Sequence, residues 1–455
     1  VGNDLITMAG NLNSADVVDG GDGTDTLTIS GGNLTQVSVL GGVSNIEILA
    51  LDSANTITLE SNIGPTTFNF RDDTDQVLNL NDGYTNATTV DIIGDDTNAD
   101  SVINTANVTL NVIGNAEDFD GDVDTTITGG TGTDTLTIRN FTDGAEAEIA
   151  ANITGIDKIT YVDVTAGADT TLTIGAYTLS ATYALALTID ASELDGGVAP
   201  EIFTLAGVAS VTRMDITGGG AGDILTLGTL ADTVDGGAGA DSITGTSGNN
   251  VITGGAGNDT VVAGTGNEHI DTGDGNDYLN VAGNLNSGDT IDGGAGTDTM
   301  TMSSGISTAS VMGSVSNIEV LAVTGAVTVV ANGDLGGANT FDFSAEANQV
   351  LTLTSAAAGG TYTGDTTVML TNLAAGTTDA TGADTITNSK DVTLNVIGNA
   401  ASFDAGVTIR GGTTATDTLT IIADGADAIL SGATYINKVV IQDSTTQGTD
   451  VEITP

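Results

Sequence analysis

Between residues 218 and 280 an aliphatic side chain returns every nine residues, at Leu225, Val234, Ile243, Ile252, Val261, Ile270 and Leu279. Each lies in a short run where one inward position is flanked by outward ones, the period of a β-strand. The residues before each run are mostly glycine with Thr, Ala or Asn, which predicts a tight turn. Position six of every unit is an oxygen-bearing side chain: Asp223, Asp232, Asp241, Asn250, Asp259, Glu268 and Asp277. Seven units follow one another without an insertion. Outside them the same alternation, with Thr or Asn at the polar positions, predicts short strands such as TLTI at 135–138, VTLNV at 108–112 and VLTL at 350–353. Only AEAEIAANI, from Ala145, reads as one short helix or a loop, and the apolar run 183–189 reads as a buried strand rather than a membrane segment.

A second, longer period runs through the chain. Residues 3–30 return as 276–303, an offset of 273, and VSNIEILAL at 43–51 returns as VSNIEVLAV at 315–323. FNFRDDTDQVLNL at 68–80 returns as FDFSAEANQVLTL at 341–353, VTLNVIGNA at 108–116 returns at 392–400, and TGIDKITYVDVT at 154–165 returns as TYINKVVIQDST at 434–445. The expected organisation is the end of one roll at 1–30, a β-rich body at 31–164, an added β segment at 165–217, the nonapeptide roll at 218–301, and a second, truncated body at 302–455. Because Val1-Gly2-Asn3-Asp4 resembles Asp274-Gly275-Asn276-Asp277, the sequence is expected to be part of something longer. The fold class expected is all-β, with parallel solenoid segments joined to Thr-rich β bodies in tandem.

Charge narrows the choice of partner. There are 60 carboxylates against seven basic side chains, a formal charge of -53. Nucleic acid is excluded, because phosphate recognition needs a basic patch, and no membrane insertion is expected. There is no cysteine, so no disulfide can stabilise the chain. Coils stacked as parallel strands lie about 4.8 Å apart, and carboxylates at that spacing repel by roughly 3 kcal/mol at an effective dielectric of 20. A column of them calls for a counter-cation.

The pattern Gly-Gly-x-Gly-x-Asp-x-aliphatic-x, seen in GGAGADSIT at 236–244 and GGAGNDTVV at 254–262, resembles the RTX family of calcium-binding repeats. That resemblance implies a right-handed parallel β-roll, two units per coil, with Ca²⁺ held between turns on the same side. Applied to this sequence, it implies one edge with Asp223, Asp241, Asp259 and Asp277 and turn residues Gly236, Ala238, Gly254, Ala256, Thr272 and Asp274. The other edge would carry Asp232, Asn250 and Glu268, and the outlying turns Asp289, Asp298, Asp16 and Asp25. Calcium is expected mainly on the first edge, which keeps its glycines. The VSNIEVLAV and INKVVI segments beside these turns also resemble bacterial surface-layer proteins exported by type I secretion.

Other acids read as structural or solvated. Asp118-x-Asp120-x-Asp122 begins like an EF-hand loop, but Val123 and Gly129 stand where Gly and Glu are needed. The groups Asp72, Asp73, Asp75 and Asp95, Asp96, Asp100 read as solvated turns. Asp134 closes a lone turn of the same type, and an extra residue before its counterpart Asp417 should distort that turn. His269, the only histidine, occupies a surface position of its unit. Without a second His or any Cys, neither the usual zinc sites nor a Cys-His pair can be built, and the lone His269 lies at the surface position of its unit, so no enzyme is expected. The functional expectation is a calcium-dependent structural protein of the bacterial cell surface, secreted, folding on Ca²⁺ and self-associating into a layer or filament, with a cell-surface polysaccharide as a second partner. The alternatives are the stalk of a giant adhesin and the secretion and folding module of a larger enzyme.

Overall fold

The computed structural model describes residues 213–303 without interruption. Elsewhere it describes 2–9, 12–30, 37–52, 56–59, 65–70, 76–93, 100–106, 108–119, 125–140, 145–149, 152–163, 170–174, 186–194, 202–206, 314–324, 328–331, 340–342, 350–353, 366–370, 384–388, 393–399, 407–412, 416–423, 428–430, 432–443 and 453–454. The chain is an all-β, parallel-stranded solenoid, and among the described residues the only helical elements are two short 3₁₀ turns. Its contacts group into two compact units, Val1–Ile243 and Thr244–Pro455.

In the first unit, alternation of aliphatic and polar residues turns every second side chain of a strand into the core, and parallel register lines these up from coil to coil. Leu27 pairs with Leu49, Leu49 with Phe68, and Phe68 with Val90. The line continues through Val112, Leu136, Ile159, Ile189, Ile216 and Val234. Each of these side chains is no more than 2% exposed. A second face stacks Ile57, Leu78, Val102, Ile127 and Ile153. A third stacks Leu172, Leu205 and Leu225. Burying such a side chain contributes about 1.5–3 kcal/mol, so the strands hold together by a continuous aliphatic column rather than by any single contact.

The second unit repeats the arrangement. Val261, Leu279, Met300, Leu321 and Phe341 form one column, and Ile252, Ile270, Ile291 and Val315 another. Its body strands follow suit, with Val329, Leu351, Ile386 and Ile409 in register. The extra residues after the seventh unit are absorbed at one place: the register shifts between Asn280 and Ala282, where Ala282 takes φ 45° and donates its N–H to Asn280 Oδ1 at 2.9 Å.

Three expectations are corrected. Ala145–Ile149 is neither helix nor loop but a strand paired in parallel with Thr170–Ile174. Ala147 and Ile149 alternate into the core, so the two-residue period overrides helix propensity. Asp118 is not solvated: it is 3% exposed and its Oδ2 accepts the Asn115 N–H at 2.6 Å, closing the 3₁₀ turn Ala116–Phe119. Asp100 is likewise buried, and its Oδ1 accepts the N–H of Gln76 in the adjacent coil at 3.0 Å. Asp72, Asp73, Asp75, Asp95, Asp96, Asp120 and Asp122 lie outside the described residues.

A candidate cation ladder

Glycine at positions two and four lets the turn take a left-handed path that other residues resist. Gly237 and Gly239 have φ +100° and +116°, and Gly255 and Gly257 have +114° and +139°. The pairs Gly273 and Gly275, Gly294 and Gly296, and Gly21 and Gly23 also have positive φ. Such turns stack backbone on backbone. A methyl on Gly273 would lie 2.0 Å from the Gly255 carbonyl oxygen, and one on Gly294 would lie 1.9 Å from that of Gly273. Strand ladders run into the turns: the Gly257 N–H donates to the Asp274 carbonyl at 2.7 Å, and Gly275 N–H to that of Ala295 at 2.8 Å.

At the end of each turn the position-six acid is buried. Asp223, Asp232, Asp241, Asn250, Asp259, Glu268, Asp277, Asp289 and Asp298 are all no more than 5% exposed. One oxygen of each acid that heads the next coil accepts the backbone N–H where the preceding strand begins. In the first unit Asp241 Oδ1 takes the N–H of Asp223 at 2.7 Å, and Asp232 Oδ1 that of Met214 at 2.9 Å. In the second, Asp277 takes Asp259, Asp298 takes Asp277, Glu268 takes Asn250 and Asp289 takes Glu268, all at 2.8–2.9 Å. The acids are therefore structural acceptors before any ion is considered. Burial raises the proton affinity of five of them. Asp223 is pushed up to about 6 by burial, against the opposing N–H groups of Gly219 and Phe203. Asp298 is also raised to about 6, by burial first, then by the charges of Asp277, Glu319 and Asp292. Asp232, Glu268 and Asp277 are raised for the same leading reason.

The second oxygen divides the turns. In the turns with no positive-φ glycine it is met from within: Gly219 N–H donates to Asp223 Oδ2 at 2.7 Å, and Gly228 N–H to Asp232 Oδ2 at 2.9 Å. In two turns with the glycine pair, Asp25 Oδ2 and Asp298 Oδ2 are buried without a hydrogen-bond donor. A buried carboxylate oxygen with nothing opposite it is costly unless a cation faces it. Carbonyls stand beside these oxygens. A methyl on Gly254 would meet Asp259 Oδ2 at 2.6 Å and the Thr272 carbonyl at 2.4 Å, so only glycine keeps that pair of oxygens open. Among the described residues no three His, Cys, Asp or Glu side chains converge on one point. An ion here would depend on backbone carbonyls as well as carboxylates, the mixed oxygen set that suits Ca²⁺.

The remaining sequence-derived candidates fall around this ladder. Gly236 offers its carbonyl 2.2 Å from the methyl position of Gly218, beside Asp223 Oδ2 at 2.6 Å. Ala238 and Ala256 end the strands Thr233–Ala238 and Val251–Ala256. Thr272 is 1% exposed and donates its hydroxyl to the Gly293 carbonyl at 2.9 Å, whereas the Asp274 side chain points to solvent and only its carbonyl joins the ladder. Asp16 stands apart from the glycine turns and closes its own turn, accepting the Asn13 N–H at 2.8 Å. His269 is exposed. Asp134 and Asp417 are both fully buried and take the N–H of Leu110 and Leu394, each at 2.9 Å. The extra residue before Asp417 therefore does not dislodge it.

A parallel β-solenoid with stacked glycine turns, each closed by a buried acid, is the class of protein these features define. Four segments, 12–33, 217–252, 244–279 and 286–308, match the RTX calcium-binding nonapeptide repeat, so the chain carries RTX repeats within a parallel β-solenoid. No curated protein and no solved structure matches it. No helix among the described residues is long and apolar enough to cross a membrane.

Proposed function

We propose that this is a calcium-dependent structural protein of the cell exterior, whose glycine-turn ladder orders when Ca²⁺ is bound and whose tandem units then associate into a surface layer or filament. The observation that carries the reading is the buried, donor-less carboxylate oxygen in turns where no side chain fits. Asp259, Asp277 and Asp298, with carbonyls of the turns that stack on them, are the residues that would hold the ion in the second unit. A bound calcium would supply two positive charges where carboxylates otherwise repel.

The chain's own residues do the rest. The acids fix strand entry through their N–H bonds, the glycines allow turns to approach within hydrogen-bonding distance, and the aliphatic column excludes water. A formal charge of -53 keeps the chain extended when cations are scarce and soluble when they are present. Two tandem copies of the same unit favour a repetitive structural role over a secretion module, in which a single roll would serve. The sequence has no cysteine and a single histidine, too few for the usual zinc sites, and the acids of the ladder each accept a backbone N–H.

Electron microscopy of the purified chain tests the assembly. Ordered sheets or filaments are expected in millimolar calcium and dispersed particles after chelation. Dispersed rods under both conditions would overturn self-assembly and favour a stalk.

A further inference from the structure

One five-residue motif recurs four times outside the nonapeptide frame, at Val43–Glu47, Ile153–Asp157, Val315–Glu319 and Ala433–Asn437. In each, the third residue has positive φ: Asn45 at 52°, Gly155 at 72°, Asn317 at 51° and Tyr435 at 57°. Its carbonyl sits over the first glycine of the turn one coil earlier, 2.1 Å from the methyl position of Gly20, 2.0 Å for Gly129, 1.9 Å for Gly293 and 2.3 Å for Gly411. The fifth residue accepts the N–H of that turn's acid. Glu47 takes Asp25, Asp157 takes Asp134, Glu319 takes Asp298 and Asn437 takes Asp417, each at 2.8 Å. These are four copies of one lock that closes a glycine turn from the next coil.

The locks are not alike in a way that matters to a cation. At Asp417 the second carboxylate oxygen is met by the Gly412 N–H at 2.7 Å, and the residue facing it across the lock is an amide, Asn437. At Asp25 and Asp298 the second oxygen is buried and has no donor, and the residue across the lock is a glutamate. Asp25 Oδ2 and the Asn45 carbonyl face one gap, 2.7 and 2.1 Å from the methyl position that Gly20 leaves empty. The carbonyl is aimed there by side-chain bonds that recur in both copies. Asn45 Nδ2 donates to Asp19 Oδ1 at 2.7 Å, and Asn317 Nδ2 to Asp292 Oδ1 at 2.6 Å.

We infer that calcium binding extends one coil past the nonapeptides, to a terminal site formed by Asp25, the Asn45 carbonyl and Glu47 and to its copy formed by Asp298, the Asn317 carbonyl and Glu319. This rests on calcium being the ion of the ladder. Glu47 and Glu319 then act as the last carboxylate of each run, where a nonapeptide would have supplied an Asp. The lock at Asn437 keeps the same backbone bonds without the ion.

Calcium alone is the probe, counted on the full chain by isothermal titration calorimetry and equilibrium dialysis. Glu47→Gln and Glu319→Gln each keep an oxygen to accept the N–H, and each is expected to bind one ion fewer than the unaltered chain, with unchanged circular dichroism in saturating calcium. Asn437→Asp, which places a carboxylate across the lock from an acid whose second oxygen already has a donor, is expected to leave the count unaltered. A full complement of ions in both glutamine variants would overturn the terminal sites while leaving the ladder reading intact. An unaltered chain that bound no calcium would instead overturn the ladder reading. If one glutamine variant fails to fold, the other copy supplies the count.

Discussion

Gly273→Ala leaves the ladder unable to order at any calcium concentration that orders the unaltered chain. Gly273 holds φ +98°, a conformation that costs a residue with a side chain about 1–3 kcal/mol. Its methyl would also lie 2.0 Å from the Gly255 carbonyl oxygen, backbone that can retreat only by parting the coils. On the other side, the methyl position of Gly294 is 1.9 Å from the Gly273 carbonyl, so the turn is confined from both directions. The combined loss should exceed about 4 kcal/mol, an exceptional value for one methyl group. Gly41→Ala, where nothing lies within 4 Å of the added methyl, should change stability by no more than about 0.5 kcal/mol. Calcium titration followed by circular dichroism separates them, and equal midpoints for the two variants would contradict the stacking described above.

The second large effect is a reversal of the usual acid response. In metal-free buffer the protein should melt at a higher temperature at pH 4.5 than at pH 7.5. Burial raises the Asp134 carboxyl to about 6, with Asp157 adding to the shift and the N–H groups of Leu110 and Gly130 and the Asn104 amide opposing it. Asp223 and Asp298 are raised to about 6 as well. Unfolded, these groups titrate near about 3.9. Between those values the folded chain binds more protons, so stability is fully present below the unfolded pKa and is lost as pH rises through about 6. Falling net charge acts in the same direction, since 60 carboxylates repel one another less as they are protonated. Thermal melts of dialysed, metal-free protein provide the measurement, and a melting temperature that rises steadily from pH 4.5 to 7.5 would contradict the burial of these acids in their charged form.

Local signals account for what could be read before the structure was seen. The aliphatic at position eight and the glycines at positions two and four act within their own unit, so the strands and turns of 218–280 follow from nearest neighbours. The locks do not. Their acceptors reach N–H groups 20–23 residues away, and Asn45, Asn317 and Tyr435 occupy positive φ without being glycine. The recurrence of VSNIE is visible in the sequence, but nothing local marks its asparagine as a turn of positive φ. Asp100 reads as a solvated acid because its partner, the N–H of Gln76 in the neighbouring coil, leaves no trace in its immediate sequence, whereas Asp118 turns back on Asn115, three residues before it. At Ala145–Ile149, five residues were too few for alternation to outweigh helix propensity until a partner strand was present.

Hydrogen exchange across residues 254–300, in calcium and in rigorously metal-stripped buffer at pH 7.5, tests most directly whether the buried acids need a cation. The N–H groups of Asp259 and Asp277, bonded to the next coil's carboxylates, are the reporters. They should be strongly protected in calcium and exchange at close to unfolded rates without it. Equal protection in both buffers would mean that the turns stack unaided, and the ladder would then be a scaffold that metal merely decorates.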